Sequence, residues 1–547
     1  MSRNGIFAGI ISVLLLYSCG NTEITNNQEA AESISEVWVP DLGNGKYKNP
    51  ILYADYSDPD VLRVGNDYYM TSSSFNCAPG LPILHSKDMV NWQIVNYAIS
   101  SQNPIEVFNK PQHGNGVWAP AIRYHNGEYY IYYGDPDYGI YMLKASHPDG
   151  EWSEPHLVKE GKGWIDPCPL WDNDGKAYLV HAFAGSRAGI KSVLLVHEMS
   201  VDGKKLLDDG VVVFDGHEKH KTVEGPKFHK RNDYYYIFAP AGGVETGWQL
   251  VLRSKDILGP YESKVVLHQG GTEINGPHQG AWVETQSGES WFFHFQDKEA
   301  YGRIVHLQPM AWENNWPLIG IDNNNDGIGE PVLEYKKPDV GGVFPLATPQ
   351  SSDDFNEPKL GLQWQWHANS TTRFGYPSGR LGFFRLNALP ALNQSSLWES
   401  PNLLMQKFTA EEFVATVKLD FHPKLDGDKI GMLIMGEDYA YISINYNDSV
   451  LSVQQSVCYN ARLQGEEKLV ASEAIDGNTF YLRAEVKTNA QCVFYYSLDN
   501  SEYHLLGETF TAAPGRWIGA KIGFFCSSKE VTNNSGYANI DWFNISK

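Results

Sequence analysis

Several things are scarce in these 547 residues, and each scarcity excludes something. Positive charge is the first: 43 Lys and Arg face 65 Asp and Glu, a formal net charge of −22. Such a chain is a poor partner for nucleic acid or for an anionic membrane surface. Cysteine is the second. There are 6, widely spaced, with no CxxC and no Cys/His pattern, which argues against a zinc site or a disulfide scaffold. Long apolar runs are absent beyond the N-terminus, so no internal segment is long enough to cross a bilayer as a helix. Helical 3.6-residue periodicity is also essentially missing, which excludes a helical bundle.

The one apolar run, Ile6 to Leu16, follows Arg3 and is too short for a permanent span, but it suits a signal peptide. It ends in Leu16-Tyr17-Ser18-Cys19, which resembles a bacterial lipobox. That resemblance implies cleavage after residue 18 and a lipid on Cys19. Gly20 follows, rather than an Asp that would retain a lipoprotein at the inner membrane. The expected location is the outer membrane, facing the periplasm or the cell surface. Polar residues 19–45 make the expected tether.

Aromatic residues are plentiful, 13% of the chain, and they recur in a pattern. A small polar turn precedes an aromatic strand in "GNDYYMTSSS", "NGEYYIYYGD", "DGKAYLVHAF", "RNDYYYIFAP" and "SGESWFFHFQ". Asn-Gly and Asp-Gly are hairpin signals, and the residues after them favour strands. Five copies at blade-sized spacing predict a five-bladed β-propeller over residues 46–336. Asp322, Asn324 and Asp326 alternate like the front of a calcium loop. Leu333 stands where a bidentate acid would be needed, so the segment is taken as a turn.

After a linker at 337–352 the texture changes. In "FVATVKLDF", Phe413, Ala415, Val417, Leu419 and Phe421 share one face, and "FYLRAEV" alternates in the same way. This predicts sheets buried on one side, hence a C-terminal β-sandwich over 353–547 and an all-β protein overall.

Three acids introduce propeller repeats: Asp58 in "SDPDVLRV", Asp166 in "WIDPCPLW" and Glu224 in "TVEGPKFH". Blade starts converge on the central axis, so these carboxyls are expected to meet there and to separate in pKa. One ionised and one protonated carboxyl is the pairing that glycosidic-bond hydrolysis uses. Asp60, beside Asp58, is read as a turn residue.

These segments, with "PGLPILHSKDMVNW", "GVWAPAIRYHNGEYYIYY", "GPHQGAWVET" and "YGRIVHLQPMAWENNWP", resemble glycoside hydrolase family 43, the enzymes of β-xylosides and α-L-arabinofuranosides. The resemblance extends to the concanavalin-like sandwich of its β-xylosidase members. It implies an inverting mechanism with Asp58 as general base, Glu224 as general acid and Asp166 as the group that orients Glu224 and tunes its pKa. An inverting pair should stand roughly 6.5–9.5 Å apart. It also implies that Arg303 contacts the sugar and that His278 faces a hydrated calcium on the axis, with no cofactor required for the chemistry. Trp118 and Phe75 are candidates for the pocket wall. The expected substrate is a terminal α-L-arabinofuranosyl group on a plant cell-wall polysaccharide or oligosaccharide (arabinoxylan, arabinan or xyloglucan). The alternatives are a β-D-xylosidase on xylo-oligosaccharides and a carbohydrate-binding lipoprotein without catalysis. The sandwich is expected to buttress the propeller and to complete the pocket rim, with no clear stacking platform for sugar.

Overall fold

The structure, a computed structural model, describes residues 34–390, 396–530, 532 and 534–547. The expected signal segment, Cys19 and the first part of the tether lie outside the described residues.

Five four-stranded antiparallel sheets follow one another, at 60–99, 118–160, 164–215, 227–268 and 278–319. Each is formed from four consecutive strands and makes one blade of the propeller. Neighbouring blades cover both faces of the inner strands. Glu128–Asp135 is accordingly buried from Tyr129 onward rather than alternating. The Asn126-Gly127 turn before it has φ of 48° and 85°, as a tight hairpin of primed type requires.

Among the described residues no blade borrows a strand from another, and the ring is closed from the N-terminal side. Leu52 bridges Val305 of blade five, and Asn49 donates its side-chain amide to Leu307 O at 2.8 Å. Lys46–Lys48 pairs with Glu334–Lys336 just past the last blade. Residues before and after the propeller are also packed. Trp38 lies 4.9 Å from Tyr53, edge to face, and Lys337 Nζ reaches Asp41 at 2.5 Å and Asp88 at 2.7 Å. In the "DNNND" turn Asp322 accepts the Asp326 and Gly327 N–H groups, so its oxygens close the turn.

The C-terminal domain is a sandwich of two eight-stranded sheets. The two alternating segments of the sequence are direct neighbours: Ala415 opposes Ala484, Val417 opposes Leu482, and Leu419 opposes Phe480. Their inward side chains enter one apolar cluster, where each large one contributes about 1.5–3 kcal/mol by leaving water.

Propeller and sandwich meet through backbone as well as side chains. Ala78 and Trp366 exchange hydrogen bonds of 3.1 and 2.6 Å, and Ala520 N donates to Ala300 O at 2.7 Å. Gly302 and Gly519 permit this approach, since a Cβ on Gly302 would stand 2.6 Å from Gly519 N. The loop between Ala513 and Gly519 is thereby held against the propeller.

Candidate active site

Each blade begins with one residue at positive φ: Asp58 (53°), Ala119 (35°), Asp166 (58°), Gly225 (58°) and Gln279 (37°). Proline follows in the first four blades and Gly280 in the fifth. The first strands of blades two, three and five also carry a bulge here. For a residue with a Cβ this backbone costs roughly 1–2 kcal/mol, and such strain concentrates at functional sites. Asp58 and Asp166 are therefore true equivalents. Glu224 is not: it precedes the positive-φ position and corresponds to Ser57, Trp118 and His278. The expected equivalence of the three acids is off by one residue in blade four. There Gly225 takes the left-handed turn, where a Cβ would also strike Gln279 at 2.7 Å.

Asp58 is 5% exposed and every partner donates to it. Ser57 Oγ donates to Oδ2 at 2.8 Å and Ser73 Oγ at 2.5 Å. Both hydroxyl roles are fixed from behind, because Ser57 Oγ accepts from Arg303 Nη1 at 2.7 Å and Ser73 Oγ accepts from Ala119 N at 2.7 Å. Arg303 Nη1 also reaches Asp58 Oδ1 at 3.2 Å. Oδ2 is thus saturated, and Oδ1 keeps the acceptor capacity for another donor.

Asp166 Oδ2 accepts the Gly225 N–H at 2.7 Å, which ties it to the residue after Glu224. Burial pushes its carboxyl up, and the charge of Asp58 adds to this against the Gly225 hydrogen bond. Glu224 is pushed up as well, first by burial, then by Asp166 and Asp58, with Arg303 opposing. Crowded carboxyls that cannot all ionise leave a proton on the group. Glu224 remains reachable, with one-third of its side chain exposed, whereas Asp58 is enclosed.

His278 Nε2 stands 3.5 Å from Glu224 Oε1, but burial first and Arg303 second hold the imidazole down to about 3, so it is neutral. Neither ring nitrogen has a hydrogen-bond partner. Buried polar atoms are seldom left so, which fits an imidazole facing water or a hydrated cation. No group of three or more His, Cys, Asp or Glu among the described residues is arranged around a metal.

Trp118 is half-buried, with its ring edge-on to Phe75 at 6.4 Å. Phe75 itself is 3% exposed and backs Trp118 rather than offering a free face. Trp517, on the sandwich loop, escaped the sequence reading. It is 41% exposed, lies 6.2 Å from Trp118 edge to face, and sits with its ring 5.9 Å from the Arg303 guanidinium. No periodicity or motif marks Trp517, so only the docking of the two domains finds it. A cleft of about 780 Å³ opens from Arg303 and Trp517 between blade five and the sandwich, past Asn275, Asp297 and Glu437. None of the three carboxyls lines it, whereas Arg303, which holds Asp58, does.

Asp60 is not a turn residue. It begins the strand Asp60–Val64, is fully buried, and accepts from Arg123 Nη1 at 2.6 Å and from Ile122 N at 2.7 Å. Arg123 Nη2 continues to Cys168 Sγ at 2.8 Å. Asp60 therefore clamps blade one to blade two, and Arg123 extends the clamp to blade three.

The description "Glycosyl hydrolases family 43" matches residues 47–317, and "Beta xylosidase C-terminal Concanavalin A-like domain" matches residues 352–546. A protein of Xylanibacter ruminicola, provisionally named a beta-xylosidase, is 40% identical, covering 88% of this chain and 86% of its own. A "Beta-xylosidase" of Formosa agariphila is 33% identical over 98% of this chain and 96% of its own. A "Non-reducing end alpha-L-arabinofuranosidase" of Bacteroides ovatus is 26% identical over 92% and 95%. The strained carboxyl ring, the arginine clamp and these whole-length likenesses agree: the chain belongs to glycosyl hydrolase family 43 and is a glycoside hydrolase.

Proposed function

We propose that this enzyme is an exo-acting, inverting β-D-xylosidase that removes the terminal non-reducing sugar from plant cell-wall xylo-oligosaccharides. The observation that carries the chemistry is the contrast between Asp58 and Glu224. Asp58 is surrounded by donors, while burial and two neighbouring carboxyls push Glu224 up. Asp58 Oδ1 takes a proton from a water as that water attacks the anomeric carbon. Glu224 delivers its proton to the glycosidic oxygen, and the bond between that oxygen and the anomeric carbon breaks. Asp166 positions Glu224 through Gly225 and, by its charge, helps keep the proton on it. Arg303 holds Asp58 and Ser57 in place and stands at the sugar's side of the site. Trp118 and Trp517 provide walls for the apolar faces of the sugars, and the cleft beyond takes the leaving portion.

The choice of xylose rests on the names of the more similar relatives. Removal of α-L-arabinofuranose, the expectation from sequence, is the second reading, supported by the Bacteroides ovatus relative. Proton NMR of the first sugar released from a β-xyloside tests the mechanism: α-xylose is expected, and β-xylose would mean retention. Aryl β-D-xylopyranoside and aryl α-L-arabinofuranoside in parallel test the sugar, and a large preference for the furanoside would favour the second reading. We infer from the lipobox that Cys19 carries the lipid anchor at the outer membrane. Cys19→Ala should then release the enzyme into the soluble fraction, and unchanged membrane retention would count against the anchor.

A further inference from the structure

A second cluster of reactive side chains lies where the two domains meet, apart from the carboxyls. Cys77, between the second and third strands of blade one, is 1% exposed. Lys521, the first residue of the sandwich strand Lys521–Ser528, is 3% exposed. Lys521 Nζ stands 2.9 Å from Cys77 Sγ, and its other partner is the Gln365 side-chain oxygen at 3.2 Å. Among the described residues Lys521 forms no ion pair, which is unusual for a buried ammonium. Lys407, alongside, is held down to about 8 by burial first and by Lys521 second.

We propose that Cys77 and Lys521 are the two ends of an oxidant-dependent N–O–S cross-link that joins blade one to the sandwich covalently. The amine and the thiol already face each other at little more than the span of one bridging oxygen, with no side chain between them. The oxidant is a peroxide. One S–H and one N–H bond break while S–O and O–N bonds form. Four electrons pass to two molecules of hydrogen peroxide, which leave with the released hydrogens as three waters. The chemistry starts at the sulfenic acid, the first reversible product of thiol oxidation, here trapped by a neighbouring amine. Phe75 lies two residues before Cys77, and Trp517 four residues before Lys521. The link would therefore fix the sandwich loop at the mouth of the active site.

Peptide mapping of the full-length enzyme treated with hydrogen peroxide, digested without reductant, tests this. The expected product is one linked pair containing Cys77 and Lys521, heavier than the two peptides by one oxygen and lighter by two hydrogens. Dithiothreitol should return both peptides, and Cys77→Ser or Lys521→Met should abolish the pair. If either variant fails to fold, the wild-type map decides alone. Recovery of Cys77 only as thiol or as its own oxides, or a linked pair that has gained no oxygen, would overturn the proposal.

Discussion

Asp58 and Asp60 are two residues apart, both buried and both contacted by an arginine, yet their surroundings differ. Asp58 belongs to the ring of positive-φ residues, where the backbone is strained; one residue before that ring in their own blades, Glu224 stays reachable and His278 lacks a hydrogen-bond partner. Asp60 lies two residues further along its strand, as Cys168 and Lys227 do in theirs, and there the cations pair with a carboxylate or with backbone. Arg123 pairs with Asp60, and Lys227 Nζ donates to Pro120 O at 2.7 Å. The difference teaches that burial of a charge does not mark function. The distinguishing feature is the strained backbone that carries Asp58, at φ 53°, beside two other carboxyls.

Substitution of the carboxyls should have the largest effect on turnover. Asp58→Asn and Glu224→Gln should each lower kcat by about 10²–10⁴-fold, measured on xylobiose. The two should part on aryl xylosides with good leaving groups, where Glu224→Gln recovers much of its rate and Asp58→Asn does not. Equal losses on both substrates would sink the assignment of Glu224 as acid.

At Asp60 the failure should be of the opposite sense. Asp60→Asn leaves Arg123 buried without its counter-charge, which costs about 3–5 kcal/mol of stability. Thermal or urea unfolding should show this loss while the surviving folded fraction keeps a near-normal kcat. Loss of turnover without loss of stability would place Asp60 in the chemistry.

The two sites should also differ in their response to pH. Glu224 and Asp166 have folded pKa values raised above those of the unfolded chain, so the folded state binds their protons more tightly. The stability they confer is full below the ordinary carboxylate range and is lost as pH rises through the raised values. Glu224→Gln should therefore unfold less readily than wild type at neutral pH and lose part of this pH dependence, by urea titration across pH. A steeper decline in the variant would reverse the sign of the argument. The smallest effect concerns the pocket wall: Trp517→Ala should raise KM by about tenfold or less, with unfolding unchanged.

Much of this was legible along the chain. The turn-then-aromatic repeats gave five blades because each inner strand is buried on both faces and is bracketed by turn residues. The alternating strands gave a sandwich because each of its sheets buries one face. Asp58, Asp166 and Glu224 stood out because the X-Pro and Gly-Pro steps that follow the ring residues place a carboxyl at or beside a blade start. The positions of Asp60 and Trp517 were not legible. A buried ion pair between blades and a ring delivered from another domain leave no local signal, because their partners are 63 residues away for Asp60 and in the opposite domain for Trp517.

By itself, the sequence determined the all-β class, the blade count and the sandwich, and it singled out three acids at blade starts, from local periodicity and from residue type at a turn. Tertiary structure alone decided which of two neighbouring aspartates pairs with Arg123, how Glu224 is offset from its counterparts, and that the sandwich reaches Trp118 and Arg303. Each of these depends on which donors and charges converge across the axis and the domain seam, at distances along the chain that no local pattern records.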